Sequence, residues 1–284
     1  MWNKIWEWFK QLDDILRGDA TRMSSLSRGR IEIPIGGLSV AIVLLGLLYG
    51  MCVGSFAMIR TGGEAYMQLL ASTIKIPLLF FLTLAVTLPS LYVFNALIGT
   101  RLSVVSVLRL LIASLGVMLA VLASLGPIVV FFALSTKNYP FMKLLNVATG
   151  TMAGVLGLGF LLRTLDRLVV AQEQMDLISL ESKPKKSKVT KKKMTKKTTV
   201  TELAAKETAF EVTGALDPLG EFTSRKTKRV FRVWTIVFAL VGAQMSWVLR
   251  PFIGSPDMPF QWFRHRESNF FIAVLKALVN LFSS

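Results

Sequence analysis

IGGLSVAIVLLGLLYGMCVGSFAMI, residues 35–59, carries no charged side chain and is closed by Arg60. At about 1.5 Å per helical residue, such a run crosses a hydrocarbon layer of about 30 Å. Gly46, Gly50 and Gly54 recur along it at a spacing of four. That stripe of small residues lets a neighbouring helix approach closely, inside one bundle or between copies in a homo-oligomer.

Working outward, the next apolar run covers residues 76–98, with Pro77 in its first turn and Pro89 inside it. Pro89 removes a backbone donor, so a kink is expected there. The third run covers 102–125 and meets Gly126-Pro127, beyond which residues 128–134 stay apolar. That helix is either long and bent or broken at the dipeptide. The fourth run, 141–162, is again glycine-rich, with Gly150, Gly154, Gly157 and Gly159. A fifth covers 233–253, with Gln244 near its middle and Arg250-Pro251 near its end. The whole composition agrees. Of 284 residues, 53% are hydrophobic and 18% charged, and the mean hydropathy is +0.56. So few charges cannot cover a water-soluble fold, so the bilayer is solvent for much of the chain.

The flanks differ in kind. In residues 1–17, Trp2, Ile5, Trp6, Phe9, Leu12 and Leu16 share helical spacing. This amphipathic helix either lies among lipid headgroups or packs on the rest of the protein. Residues 164–180 continue the fourth helix beyond the apolar run. Then Lys183, Lys185, Lys186, Lys188, Lys191, Lys192, Lys193, Lys196 and Lys197 crowd fifteen positions without an acid. Such a block repels itself and buries nothing, so disorder is expected. Residues 201–212 could form a short surface helix. After the fifth run comes GSPDMPFQWFRHRESNFF, residues 254–271, and a final apolar stretch, 269–282, too short to span. It is expected at the interface or as a re-entrant helix, and a sixth span stays open.

The reactive inventory speaks against an ordinary enzyme. There is one Cys, Cys52, and one His, His265, too few for a closed zinc or iron–sulfur site. No G-x-S-x-G, G-x-G-x-x-G or P-loop motif stands in the chain. A surface enzyme would have to gather His265 with Asp257 or Glu267. No cofactor is expected. From residue 65 to residue 165 there is no Asp or Glu, which disfavours a proton-coupled pump or an intramembrane aspartyl protease.

With five spans the termini lie on opposite sides. The N-terminal segment, Arg101 and residues 163–232 hold 24 Lys and Arg, against 8 on the other side. The positive-inside rule therefore puts the N-terminus and the lysine block in the cytoplasm and the C-terminus outside. The net charge of +16 is local to that side. The block serves as a topology anchor, as a site for anionic lipid, worth about 1 kcal/mol per basic residue, or as a contact for an acidic cytoplasmic protein. It lacks interleaved aromatics and arginines, which argues against nucleic acid. Within the apolar runs, Asn95, Asn146 and Gln244 read as interhelical hydrogen-bonding residues. Arg109 either snorkels to the headgroups or faces a polar cavity and binds an anionic group. Arg250 reads as a boundary anchor.

IKIPLLFFLTLAVTLPSLYVFNALIG from residue 74, FMKLLNVATG from 141 and QMSWVLRPFIGSPDMPFQWFRHRESNFF from 244 together resemble a family of bacterial polytopic membrane proteins of the planctomycete type. The pattern is also loosely similar to the Yip-type multi-pass proteins. The resemblance covers roughly residues 35–165 and 230–275. It implies a multi-pass protein of the bacterial inner membrane and carries no activity and no functional residue across.

The expectation is thus an all-α integral membrane protein with about five transmembrane helices and N- and C-terminal interfacial amphipathic helices. Its segments are 1–34 (interfacial), 35–165 (four transmembrane helices), 166–229 (basic cytoplasmic loop) and 230–284 (fifth helix and aromatic tail). The expected function is a membrane scaffold or assembly factor recruiting a cytoplasmic partner or anionic lipid. The alternative is a transporter or channel passing Asn95, Arg109, Asn146 and Gln244.

Overall fold

A computed structural model of the chain describes residues 2–18, 35–61, 65–98, 104–181, 225–254, 259–264 and 268–282. Among them the protein is all-helical, with α1 (Trp2–Arg17), α2 (Ile35–Thr61), α3 (Ala65–Ile98), α4 (Val104–Ser135), α5 (Tyr139–Glu181), α6 (Arg225–Val248) and α7 (Phe270–Phe282). Four helices, α2 to α5, are long and apolar enough to cross a membrane. The nine lysines of the block, the 201–212 stretch, Arg101, His265, Asp257 and Glu267 lie outside the described residues.

Helix α2 is the centre of the packing, against α3 on one side and α4 on the other, while α4 leads to α5 and α3 to α6. The seam between α2 and α3 is made by glycine. A Cβ at Gly50 would lie 2.6 Å from the Thr73 Cα, and one at Gly46 would lie 3.0 Å from the Pro77 Cβ. Only residues without a side chain allow backbones that close. Trp234 of α6 is fully buried and donates to the Ser90 hydroxyl of α3 at 3.1 Å.

Several helix limits depart from the sequence reading. The second run starts eleven residues early, at Ala65 instead of 76. Gln68, Ser72 and Lys75 in this extension are four and three apart and all buried, so one polar face turns into the protein without interrupting the helix. The third run is not broken at Gly126-Pro127, and α4 continues to Ser135. A proline costs one helical bond, whereas opening the backbone in hydrocarbon would orphan several. In α3 the helix likewise runs through Pro77 and Pro89. Nearby, the Thr83 and Thr87 hydroxyls bond carbonyls one turn back at 2.7 and 2.8 Å.

The fifth run is shorter than expected. Helix α6 ends at Val248, and its apolar part, Arg232–Val248, is 17 residues long. Leu249 closes the last turn on the Met245 carbonyl. Pro251 then has no N–H to continue the ladder, and residues 250–254 return into the bundle with Phe252 and Ile253 buried. Helix α5 runs on to Glu181 and α6 starts at Arg225, so both ends of the segment assigned to the basic loop are helical.

The terminal helices both touch the bundle. Leu12 and Ile15 of α1 are buried, and the helix packs on α2 and α4 while Trp6 stays 75% exposed. Gly18, at φ 84°, closes α1 by donating to the Ile15 carbonyl at 3.0 Å, a left-handed cap that suits glycine. Helix α7 is capped by the Asn269 side chain, which accepts from the Ile272 N–H at 2.9 Å. It packs on α5 and α6. At 13 residues, about 20 Å, it is too short to span.

Candidate functional site

At the end of the bundle where α2, α4 and α6 finish and α3 and α5 begin, the returning tail is pinned by side chains of α3. The Gln68 amide donates to the carbonyls of Pro251 at 3.3 Å and Phe252 at 3.2 Å. The Ser72 hydroxyl bonds the Phe252 carbonyl and also the Gln68 carbonyl one turn back. Lys75, only 2% exposed, donates to the carbonyls of Pro251, at 3.3 Å, and Trp262. Its ammonium lies 5.9 Å from the Trp262 ring centroid and 5.1 Å from that of Phe263, within the range where an aromatic face attracts a cation. From α5, the Tyr139 hydroxyl donates to the Ile253 carbonyl at 3.3 Å. These groups satisfy the non-helical backbone of residues 251–253, which is what such backbone requires at membrane depth. Gly254 allows close approach, since a Cβ there would lie 2.8 Å from both the Ala57 Cβ and the Gln68 Cγ.

Arg60 performs a related task beside it. Its guanidinium donates to the carbonyls of Ala133, Leu134 and Thr136 at 3.3, 3.2 and 2.8 Å, capping the C-terminal end of α4 with a cation. Asn138 then caps α5, its side chain accepting from the Phe141 N–H at 2.9 Å.

Under the tail lies a cavity of about 490 Å³, between α3, α4, α5, α6 and α7. That volume falls in the range of about 300–1,000 Å³ common for small-molecule sites. Its deep walls are apolar, with Leu79, Phe80, Met118, Leu122, Leu158 and Phe238. Its cations are Lys143, Arg250 and Arg264, and no Asp, Glu, His or Cys is among the described lining residues. Lys143 sits one turn into α5 with its ammonium 4.1 Å from the Tyr139 ring centroid. Arg250 stacks 3.8 Å from the Trp247 ring centroid. All three cations therefore stand at the tail end, where α5 begins, and the apolar wall extends away from them. Chemically, such an arrangement suits binding an amphiphilic anion.

The residues singled out from the sequence are not brought together as one path. Asn146 lines the cavity and accepts from the Tyr49 hydroxyl at 3.0 Å, while Tyr49 and Thr149 share a hydrogen bond of 2.8 Å. Arg250 lines it as well. Gln244, half-buried on α6, and Arg109, half-buried near the start of α4, do not. Asn95 lies near the end of α3, with its side chain outside the described residues. Lys75, Gln68, Ser72, Lys143 and Arg264 were missed. Three of them had a legible signal, the 4-then-3 spacing of Gln68, Ser72 and Lys75 that marks one helix face. The chain matches no known family model, no curated protein and no solved structure.

Proposed function

We propose that the chain is a five-span, non-enzymatic scaffold or assembly factor of a bacterial inner membrane. Its N-terminus and lysine block face the cytoplasm and its C-terminal tail faces outside. Helix α6 makes the fifth crossing with its apolar part, Arg232–Val248, whose 17 residues stand at the lower limit for a spanning helix. The lysines at 183–197 recruit an acidic cytoplasmic protein or anionic lipid.

The observation that carries this reading is how the bundle uses its polar side chains. Gln68, Ser72, Lys75 and Tyr139 are bonded to the chain's own backbone, and Tyr49, Asn146 and Thr149 are bonded to one another. A solute path would need such groups directed at its lumen. Of the residues expected along one, Asn146 lines the cavity while Arg109 and Gln244 do not, and the side chain of Asn95 lies outside the described residues.

A cross-linking capture from native membranes tests the proposal, comparing the intact protein with a variant lacking residues 183–197. The scaffold reading expects acidic cytoplasmic proteins captured by the intact chain alone, in a salt-sensitive manner. Identical captures would reduce the block to a topology anchor and remove the reading.

A further inference from the structure

We propose that the cavity under the tail is the seat of one anionic membrane lipid. Its phosphate or carboxylate head is held by Lys143, Arg250 and Arg264, and one acyl chain lies along α5 from Lys143 to Leu158. This inference is independent of the lysine block.

Three observations carry it. The first is the layout, with cations gathered at one end of the cavity and an apolar wall leading away from them. A water-soluble anion would have no use for that wall, and a neutral lipid none for the cations. The second is length. Lys143, Val147, Gly150, Gly154 and Leu158 all line the cavity at spacings of four and three, which is one face of a helix. The sixteen residues from Lys143 to Leu158 span about 22 Å, more than the roughly 15 Å that one leaflet contributes to a core of about 30 Å, so the face is long enough for a whole acyl chain. The cations stand at the start of the apolar span that begins at Tyr139, the depth at which a headgroup sits.

The third is the glycines. A Cβ at Gly150 or Gly154 would meet nothing within 4 Å, although both line the cavity. No packing partner among the described residues explains why they are glycine. A groove along α5 for a chain that comes from outside the protein does. Gly159, on the same helix, also meets nothing within 4 Å but does not line the cavity, which makes it a matched control.

The full-length protein, purified and delipidated in a neutral detergent, is titrated with phosphatidylglycerol, with phosphatidylcholine of the same chains, and with inorganic phosphate. Bound lipid is counted by native mass spectrometry and thermal melting is followed in parallel. The expected result is one saturable phosphatidylglycerol, bound about tenfold tighter than phosphatidylcholine, the difference a charge-assisted contact supplies. Gly154→Leu, which fills the groove, lowers phosphatidylglycerol binding about tenfold or more, as lost apolar burial of a few methylenes requires. Gly159→Leu leaves it unchanged. Lys143→Gln keeps the lipid but narrows the preference over phosphatidylcholine. The proposal is overturned if no lipid saturates, if inorganic phosphate protects as well as the lipid, if phosphatidylcholine binds equally, or if Gly154→Leu and Gly159→Leu behave alike.

Discussion

On α2, Gly46, Gly50 and Gly54 face α3 so closely that a Cβ at Gly50 would lie 2.6 Å from the Thr73 Cα and 2.8 Å from the Ser72 carbonyl oxygen. On α5, Gly150, Gly154 and Gly159 face space, with nothing within 4 Å of the position a Cβ would take. Gly157 is the exception there, because it turns towards α4 and meets Met118 and the Ser114 carbonyl. Glycine therefore does two jobs in this bundle. On α2 it admits a neighbouring backbone, and on most of α5 it leaves a surface bare. The residue type is the same in both, and what differs is whether a helix stands opposite.

The comparison is broken most directly at Gly50. A methyl group there meets backbone, which cannot swing aside as a side chain can. Gly50→Ala should therefore destabilise the bundle by roughly 3 kcal/mol, the upper part of the usual range for overpacking. Melting in detergent, followed by tryptophan fluorescence, would record the loss. An unchanged transition would mean that α2 and α3 are not in contact at this seam.

The next effect in size concerns the polar face of α3, which holds the returning tail. Lys75→Met retains the apolar stem and removes the donor that reaches the Pro251 and Trp262 carbonyls. An unsatisfied buried carbonyl costs about 1–3 kcal/mol, and the loss should appear locally. Limited proteolysis is expected to cut residues 250–264 faster in the variant while the sites in α2 to α5 remain protected. Equal cutting rates would show that the tail is held without the lysine.

How much of this was open to sequence reasoning follows from what is local. Residues 35–59 announce a membrane helix because length and apolarity are properties of a single segment. The start of α3 was misplaced because Gln68, Ser72 and Lys75 look like the polar end of a span. They are tolerated inside because residues 251, 252 and 262, nearly two hundred positions away, present carbonyls to them. The end of α6 was misplaced for the complementary reason, since Phe252 and Ile253 are as apolar as a continuing helix would be. Which face of α5 is bare could not be read at all. In lipid the outward face is as apolar as the inward one, so the periodicity that marks a buried face in water is absent. Lys143 illustrates the cost: counted only as one more charge on the outer side, it stands over Tyr139 at the mouth of the cavity.

A smaller effect sharpens the link between α2 and α5 themselves. Tyr49 reaches across the bundle to Asn146 and Thr149. Tyr49→Phe deletes that bridge while keeping the ring. Interhelical hydrogen bonds in membranes are each worth about 0.6 kcal/mol on average, with a maximum of about 1.7, so a loss of about 1 kcal/mol is expected. Asn146→Ala should cost little more once Tyr49 is already Phe, and a double-mutant cycle in detergent would reveal that coupling. Fully additive losses would mean that the two residues act separately.

The smallest effect has the opposite sign, and it separates the two kinds of glycine cleanly. Gly154→Ala is the same chemical change as Gly50→Ala, on a helix just as apolar. Nothing stands within 4 Å of the new methyl group, so there is no steric cost to offset. What remains is the conformational entropy that glycine loses on entering a helix, about 0.5–1 kcal/mol relative to alanine. Gly154→Ala should therefore raise stability by about 0.5 kcal/mol in the lipid-free protein, a small upward shift of the melting temperature. A downward shift would place a helix or tail segment against α5 at this point and close the groove that the lipid proposal requires. An upward shift leaves the bare face of α5 in place, and with it the contrast to the seam at Gly50.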